Sequence, residues 1–80
     1  MATHEVLSPL PGTFYRKPAP EAGPFVKEGD AVKVGDVVGL VEVMKRFNEV
    51  HADSAGTVVR FLVADEAPVE AGQALLVIEG

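Results

Sequence analysis

Short apolar runs and turn residues alternate along the whole chain, and this spacing predicts strands. The runs are rich in Val, Leu, Ile and Phe, and clusters of Gly, Pro and Asp separate them. No stretch keeps a helical apolar period through a dozen residues. The pattern therefore predicts an all-β domain. The expected strands are Glu5–Leu7, Gly12–Tyr15, Ala31–Val32, Val37–Val43, Phe47–His51, Gly56–Phe61, Pro68–Val69 and Leu75–Glu79.

The chain contains two similar halves. Val32–Glu42 and Val69–Glu79 align with the first Val, one Gly, the apolar positions and the closing Glu in register, and Gly12-Thr13-Phe14 matches Gly56-Thr57-Val58. Two related strand sets of this size predict a flattened antiparallel β-barrel or sandwich with internal pseudo-twofold symmetry, which leaves few open edges. The side chains expected to supply much of the core are Val38, Leu40, Val58, Leu62, Leu76 and Ile78.

The two halves differ in length at one place. Gly35 follows Gly12 by 23 residues, whereas Gly72 follows Gly56 by 16, so the first half is longer by seven. The extra segment holds three prolines, which cannot donate to a strand ladder, and we expect a stiff projecting loop there. The residues of this segment are Pro18, Ala19, Pro20, Glu21, Ala22, Gly23 and Pro24.

Met44-Lys45-Arg46 lies at the joint between the halves, where the strand pattern predicts a tight hairpin tip. The tip contains neither Gly nor Asn, the usual residues of short hairpins, and broken local rules are typical of functional positions. An isolated exposed lysine is most often an ordinary surface residue. Its place at the symmetric joint makes Lys45 the candidate attachment point of a swinging-arm carrier.

The tip residues resemble a known family. Glu42-Val43-Met44-Lys45 is similar to the Glu-Ala-Met-Lys-Met signature of biotin carboxyl carrier domains, and Asn48-Glu49-Val50 resembles the strand that follows it. Lys17–Pro24 resembles the thumb loop of the carriers of bacterial acetyl-CoA carboxylases. Val43 stands where the family usually has Ala, and Arg46 stands where it usually has Met.

The resemblance implies one carrier domain over residues 1–80, with a barrel-sandwich hybrid fold and a thumb at residues 17–24. It implies biotin attached covalently to Lys45, with Glu42, Val43, Met44, Arg46 and the thumb around the cofactor. The implied partners are biotin protein ligase, a biotin carboxylase and a carboxyltransferase, with acetyl-CoA as the expected acceptor. Because the family's Ala/Pro-rich N-terminal segment is missing, we expect a free-standing carrier. The resemblance also implies that the carrier is non-catalytic.

Three other functions are compatible with the sequence. A lipoyl carrier shares the duplicated barrel and the tip lysine, although Met44 immediately before Lys45 favours biotin over the Asp-Lys-Ala tip of lipoyl domains. The chain could equally serve a carboxylase with another acceptor, such as propionyl-CoA, urea or a keto acid. Val43 and Arg46 motivate a third alternative, a scaffold domain that keeps the fold without biotin.

Composition narrows the remaining classes. Eighty residues without Cys make one domain with no disulfide or thiolate metal site. The net charge of −5 provides no basic stripe for nucleic acid. We find no signal peptide and no apolar run of membrane-spanning length, and we expect a cytoplasmic protein. Neither His4 nor His51 has metal-ligand spacing, and no catalytic set stands out.

Overall fold

The computed structural model describes residues 2–19 and 21–80, and its regular structure there consists of eight strands. Pro20, a residue of the predicted thumb, lies outside the described residues. The strands are β1 (Thr3–Leu7), β2 (Gly12–Tyr15), β3 (Ala31–Val32), β4 (Val37–Val43), β5 (Arg46–His51), β6 (Gly56–Phe61), β7 (Ala67–Val69) and β8 (Ala74–Glu79). The all-β prediction is confirmed.

The strands form two four-stranded antiparallel sheets with equivalent orders. One sheet has the order β1-β8-β6-β3 and the other β5-β4-β2-β7. Exchanging β1 with β5, β8 with β4, β6 with β2 and β3 with β7 turns one order into the other. The internal twofold relationship that the repeated sequence predicted is therefore present in the pairing of the strands.

Irregularities repeat at equivalent positions as well. Val38 has no partner in the β4–β5 register, and Leu75 has none in the β8–β1 register. Both long strands therefore bulge, at fully buried residues that are 37 positions apart. The turn before each of these strands is also the same. Gly35 N donates to Ala52 O, and Gly72 N donates to Ser8 O, at 2.8 Å in both cases. The two halves thus enter their long strands in the same way.

The core lies between the sheets and is supplied by both halves. Phe14, Val38, Val58, Leu76 and Ile78 have between 0% and 1% of their surface exposed. Four of these were predicted core side chains, and a fifth predicted one, Leu40, is also buried. Five of the six predicted core side chains are therefore buried.

Leu62 is a correction to the predicted core, since 39% of its surface is exposed. If side chains alternated regularly along β6 from the buried Val58, residues 60 and 62 would also point into the core. The β6–β8 register shifts between Val58 and Arg60, and this irregularity changes the phase of the strand. Phe61 consequently packs against the core in place of Leu62.

Four strands begin one or two residues earlier than the sequence predicted, and the other four have the expected bounds. The added residues pair with a neighbouring strand, and the local apolar pattern contains no information about such partners. These residues are Thr3, His4, Arg46, Ala67 and Ala74.

The hairpin between β4 and β5 lies at the end of the domain away from the termini. Ala2 and Gly80 exchange backbone hydrogen bonds of 3.0 Å, and Gly80 packs against Ala55. The segment that holds Ala55 follows the far end of β5. The six residues of β5 therefore separate Lys45 from the termini by roughly 20 Å of extended chain.

Candidate functional site

A two-residue turn presents Lys45 at the end of the β4–β5 hairpin. Val43 pairs with Arg46, which leaves only Met44 and Lys45 to reverse the chain. Their φ angles are 51° and 67°, in the left-handed region that a type I′ turn requires at both central positions. A left-handed conformation costs roughly 1–2 kcal/mol per non-glycine residue. Met44 and Lys45 adopt this conformation in place of the Asn and Gly residues that would adopt it at low energy.

The predicted tip residues have different environments. Lys45 and Arg46 are exposed, and Met44 has 91% of its surface exposed. Val43 packs instead against the core, so its branched side chain anchors the end of β4 beneath the turn. The Lys45 amine and the Met44 thioether are therefore exposed directly after a strand end that is held by packing. Among residues 2–19 and 21–80, the one side-chain contact at salt-bridge distance joins His51 and Glu49, and the Lys45 amine has no carboxylate partner.

Tyr15 supports the tip from the neighbouring strand. Its hydroxyl donates a 2.9 Å hydrogen bond to Oε1 of Glu42, three residues before Lys45. Its ring lies 5.8 Å from the ring of Phe47 at an interplanar angle of 60°. This one side chain thus contacts both strands of the hairpin, in an edge-tilted aromatic arrangement that is favourable.

The carboxylate of Glu42 raises the pKa of the Tyr15 hydroxyl above its ordinary value. The hydrogen bond to Glu42 is the largest cause, followed by partial removal from water and by the negative charges of Glu42, Glu66 and Asp65. The neutral phenol is favoured because it is the form that donates the hydrogen bond.

A cleft of about 510 Å³ opens beside the tip. Its walls come from the hairpin, the start of the thumb and the loop between β6 and β7. The lining residues are Tyr15, Lys17, Pro18, Ala19, Phe47, Asp65 and Glu66. We call this space the thumb cleft. Phe47 is only two residues from Lys45 along the chain, so the cleft lies next to the predicted attachment point.

The thumb is a closed loop whose two ends meet. Phe25 N donates to Arg16 O at 2.9 Å, and within the loop Ala22 N donates to Ala19 O at 3.0 Å. Arg16 anchors the start of the thumb loop. Its backbone N–H donates to Oδ1 of Asp65 at 2.8 Å, and its guanidinium carbon lies 3.7 Å from the centre of the Phe61 ring. Aromatic stacking of this kind fixes the guanidinium in place.

The predicted thumb residues are divided between two faces of the loop. Pro18 and Ala19 line the thumb cleft on the tip side. Ala22 and Pro24 line a separate cleft with Lys27 and Glu28, and no tip residue borders it. The exposed Glu21 and Gly23 line neither cleft. The structure thus brings only the first part of the thumb to the lysine.

Sequence reasoning missed four residues of this site. The sequence identifies Tyr15 and Phe47 only as strand residues. For Phe47, an exposed aromatic on the edge strand β5 is an available signal. Asp65 and Glu66 were assigned to no element. They reach the cleft because Glu66 turns the chain at a φ of 66° and its N–H donates to Phe14 O at 2.7 Å.

The described residues contain no group of three or more side chains arranged to hold a metal ion. Over the same residues, no helix has the length and apolar character needed to cross a membrane.

A duplicated pair of sheets that exposes one lysine on a strained tip is the design of a carrier domain. The family described as "Biotin-requiring enzyme", of the biotin and lipoyl type, matches residues 4–78. The chain belongs to this family, and the resemblance seen in the sequence is confirmed.

Curated relatives carry consistent names. The chain is 49% identical over 79 residues to the "Biotin carboxyl carrier protein of acetyl-CoA carboxylase" of Haemophilus influenzae, covering 99% of this chain and 51% of the relative. It is 47% identical to the protein of the same name from Nostoc sp., covering 94% of this chain and 41% of the relative. The chain therefore spans about half the length of these relatives, or less.

Solved structures of larger carboxylases contain the same fold. The urea carboxylase of Kluyveromyces lactis matches with a TM-score of 0.80 and 30% identity, covering 99% of this chain and 6% of that chain. A single-chain, multi-domain long-chain acyl-CoA carboxylase matches with a TM-score of 0.77 and 27% identity, covering 94% of this chain and 7% of that chain. The fold prediction is confirmed by both.

Proposed function

We propose that this domain carries biotin on Lys45 and moves a carboxyl group between two partner enzymes. The observation that carries the proposal is the exposed Lys45 amine on a left-handed turn, at the end of the domain away from the termini. The names of the relatives support biotin as the attached group.

The residues around Lys45 fit a covalently attached biotin. The exposed primary amine can be acylated by a ligase: an amide bond forms at Nζ, the leaving group of an activated biotinyl donor departs, and Nζ gives up a proton. The thumb cleft next to it joins apolar walls from Phe47 and Pro18 to a few polar groups, which is typical of ligand clefts. When bound, biotin supplies a ureido nitrogen that holds the carboxyl group.

The domain's own contribution is presentation. The lysine stem lengthens the arm, and the strained tip keeps the attachment point clear of both sheets. Tethering raises the local concentration of the arm at each partner's active site to the order of mM for short flexible links. We infer that Met44 and Arg46 contribute to recognition by biotin protein ligase, since both are exposed beside Lys45.

We propose that the partners are a biotin carboxylase and a carboxyltransferase, with acetyl-CoA as the acceptor. The support is the identity of 47–49% to carriers named for acetyl-CoA carboxylase. A second candidate is a carrier for a carboxylase with another acceptor, and the likeness to the urea and long-chain acyl-CoA carboxylases favours it. The acceptor is bound by the carboxyltransferase, so both candidates use the same tip.

A transfer experiment tests the carrier role. The biotinylated domain is incubated with biotin carboxylase, ATP and labelled bicarbonate, separated, and then mixed with a carboxyltransferase and acetyl-CoA. We expect label on the wild type, no label on Lys45→Arg, and delivery of the label to acetyl-CoA. Label retained by the Lys45→Arg variant would contradict the proposal. Label that is taken up but delivered only to another acceptor would favour the second candidate.

A further inference from the structure

Charged side chains border the thumb cleft unequally. Lys17, Asp65 and Glu66 line it, and the carboxylate of Glu42 lies directly behind its Tyr15 wall. Two carboxylates therefore line the cleft against one ammonium group, and a third lies behind its wall. The nearby guanidinium of Arg16 is stacked on Phe61 and borders the cleft on the opposite face of the thumb.

Two of these carboxylates belong to a loop that the fold holds at the edge of the cleft. Oδ1 of Asp65 accepts the 2.8 Å hydrogen bond from Arg16 N, and the backbone of Glu66 is bonded to Phe14 O at 2.7 Å. Both hydrogen bonds join this loop to β2 or its end. The Asp65 carboxylate and the backbone of Glu66 are consequently held in place, and a bound group cannot displace the loop without breaking these bonds.

Three carboxylates act on the Tyr15 hydroxyl at the wall of the cleft. The negative charges of Glu42, Glu66 and Asp65 all raise its pKa. Carboxylates therefore outnumber the ammonium group at this wall of the cleft. Carboxylates repel one another, and the repulsion is stronger where water is partly excluded.

An arm on Lys45 can reach this wall. Phe47 is two residues from Lys45, which corresponds to roughly 7 Å of extended strand. The long lysine stem and the chain of an attached cofactor together exceed this span. The same arm is uncharged at its ring before loading and carries an anionic carboxylate after loading.

We propose that the thumb cleft is a charge-selective seat, which accepts the uncharged ring of a Lys45-borne arm and rejects the same ring when it carries a carboxylate. The inference rests on the proposed function, because only a carrier places such an arm on Lys45. Its consequence is that an empty arm rests against Phe47 and Pro18, whereas a loaded arm is released to solvent and to the acceptor enzyme.

The absence of cysteine allows a direct test. In the Lys45→Cys variant, the single thiol is alkylated with one of two maleimides of matched length, one ending in a neutral ureido ring and one in the same ring bearing a carboxylate. Backbone amide shifts of Tyr15, Ala19 and Phe47 then report occupancy of the cleft. We expect the neutral arm to shift these signals and the anionic arm to occupy the cleft roughly fivefold less, the scale of one charge pair near water.

Charge variants identify the responsible groups. In the Asp65→Asn/Glu66→Gln double variant, the neutral and anionic arms should occupy the cleft equally. Without these two substitutions, added salt should reduce the difference in occupancy between the two arms. Glu28→Gln, a matched change on the other face of the thumb, should leave the difference intact. Lys17→Gln should widen it.

Three results would overturn the proposal. They are equal shifts from the two arms, stronger shifts from the anionic arm that disappear in Lys17→Gln, and no shift from the neutral arm. Because the arm is attached chemically, each of these results can be read even if a ligase fails to modify Lys45. Conversely, biotinylation of Lys45 would stand if the cleft proved indifferent to charge.

Discussion

At the scale of single residues, Tyr15 connects the parts of the site that are distant in sequence. It is hydrogen-bonded to Glu42, its ring contacts Phe47, and it lines the cleft with the start of the thumb. The sequence showed only that it belongs to a strand. The contacts depend on the pairing of β2 with β4, which brings residues 27 positions apart into hydrogen-bonding distance.

The ionisation of Tyr15 gives a prediction with a direct measurement. The chain has one tyrosine and no tryptophan, so absorbance near 295 nm in a pH titration reports this hydroxyl alone. We expect its pKa to lie above the ordinary tyrosine value of about 10. Glu42→Gln should lower that pKa towards the ordinary value, because it removes the carboxylate whose hydrogen bond to the Tyr15 hydroxyl is the main cause of the shift. Glu49→Gln, on the adjacent strand, is the matched control and should have little effect.

The sign of the effect on stability follows from the raised pKa. The folded state favours the protonated phenol, so the contribution of the hydrogen bond is fully present below the ordinary tyrosine pKa. It is lost as pH rises through the folded-state pKa. A titration in which Glu42→Gln raised the Tyr15 pKa would contradict the assigned hydrogen bond.

At the scale of the strands, the sequence predicted most of the architecture. Repeated apolar positions located all eight strands, because strand alternation is a local property of the chain. The phase change in β6 was not predictable in this way. It arises from a register shift against β8, and only the cross-strand partners determine it.

The corrected core assignment makes a prediction about two leucines. Leu76 is fully buried between the sheets, whereas Leu62 is 39% exposed. Leu76→Ala should lower the free energy of unfolding by roughly 2–5 kcal/mol, and Leu62→Ala should lower it by less than about 1 kcal/mol. Urea denaturation of the two variants provides the comparison. Equal losses from both would show that the phase of β6 is misassigned.

The thumb makes a second prediction at this scale. Because Arg16 and Phe25 are hydrogen-bonded, a two-residue Asn-Gly turn can replace residues 17–24. We expect the free energy of unfolding to change by no more than about 1 kcal/mol, since shortening a loop alters its closure entropy only slightly.

The effect of that deletion on the cofactor is measured separately. Biotin on Lys45 should become more mobile in NMR relaxation, because Pro18 and Ala19 no longer wall the cleft. Unchanged mobility would remove the thumb from the proposed function. Cooperative unfolding lost with the loop would show instead that the thumb is part of the core.

At the scale of the whole molecule, duplication explains why a lysine occupies this place. The β4–β5 hairpin is equivalent to the junction of β8 with β1, where the backbones of Ala2 and Gly80 are hydrogen-bonded. One end of the domain therefore carries the chain termini, and the equivalent end carries the tip. The tip therefore takes the position in the repeat at which Lys45 is remote from Ala2 and Gly80.

The tip and its lysine were predictable because they coincide with the joint of a repeat visible in the sequence. The acidic wall of the cleft was not, because Asp65 and Glu66 occupy a loop between β6 and β7 that has no distinctive pattern. Their position depends on hydrogen bonds to Arg16 and to Phe14, residues from the other half of the chain.

Intact mass after biotinylation tests the central claim most directly. The domain is incubated with a biotin protein ligase, biotin and ATP, alongside Lys45→Arg and the matched control Lys33→Arg, whose lysine is an exposed turn residue. We predict the mass of one biotinyl group on the wild type and on Lys33→Arg, and none on Lys45→Arg. An unmodified wild type, or a Lys45→Arg variant that still gains the biotinyl mass, would contradict the account.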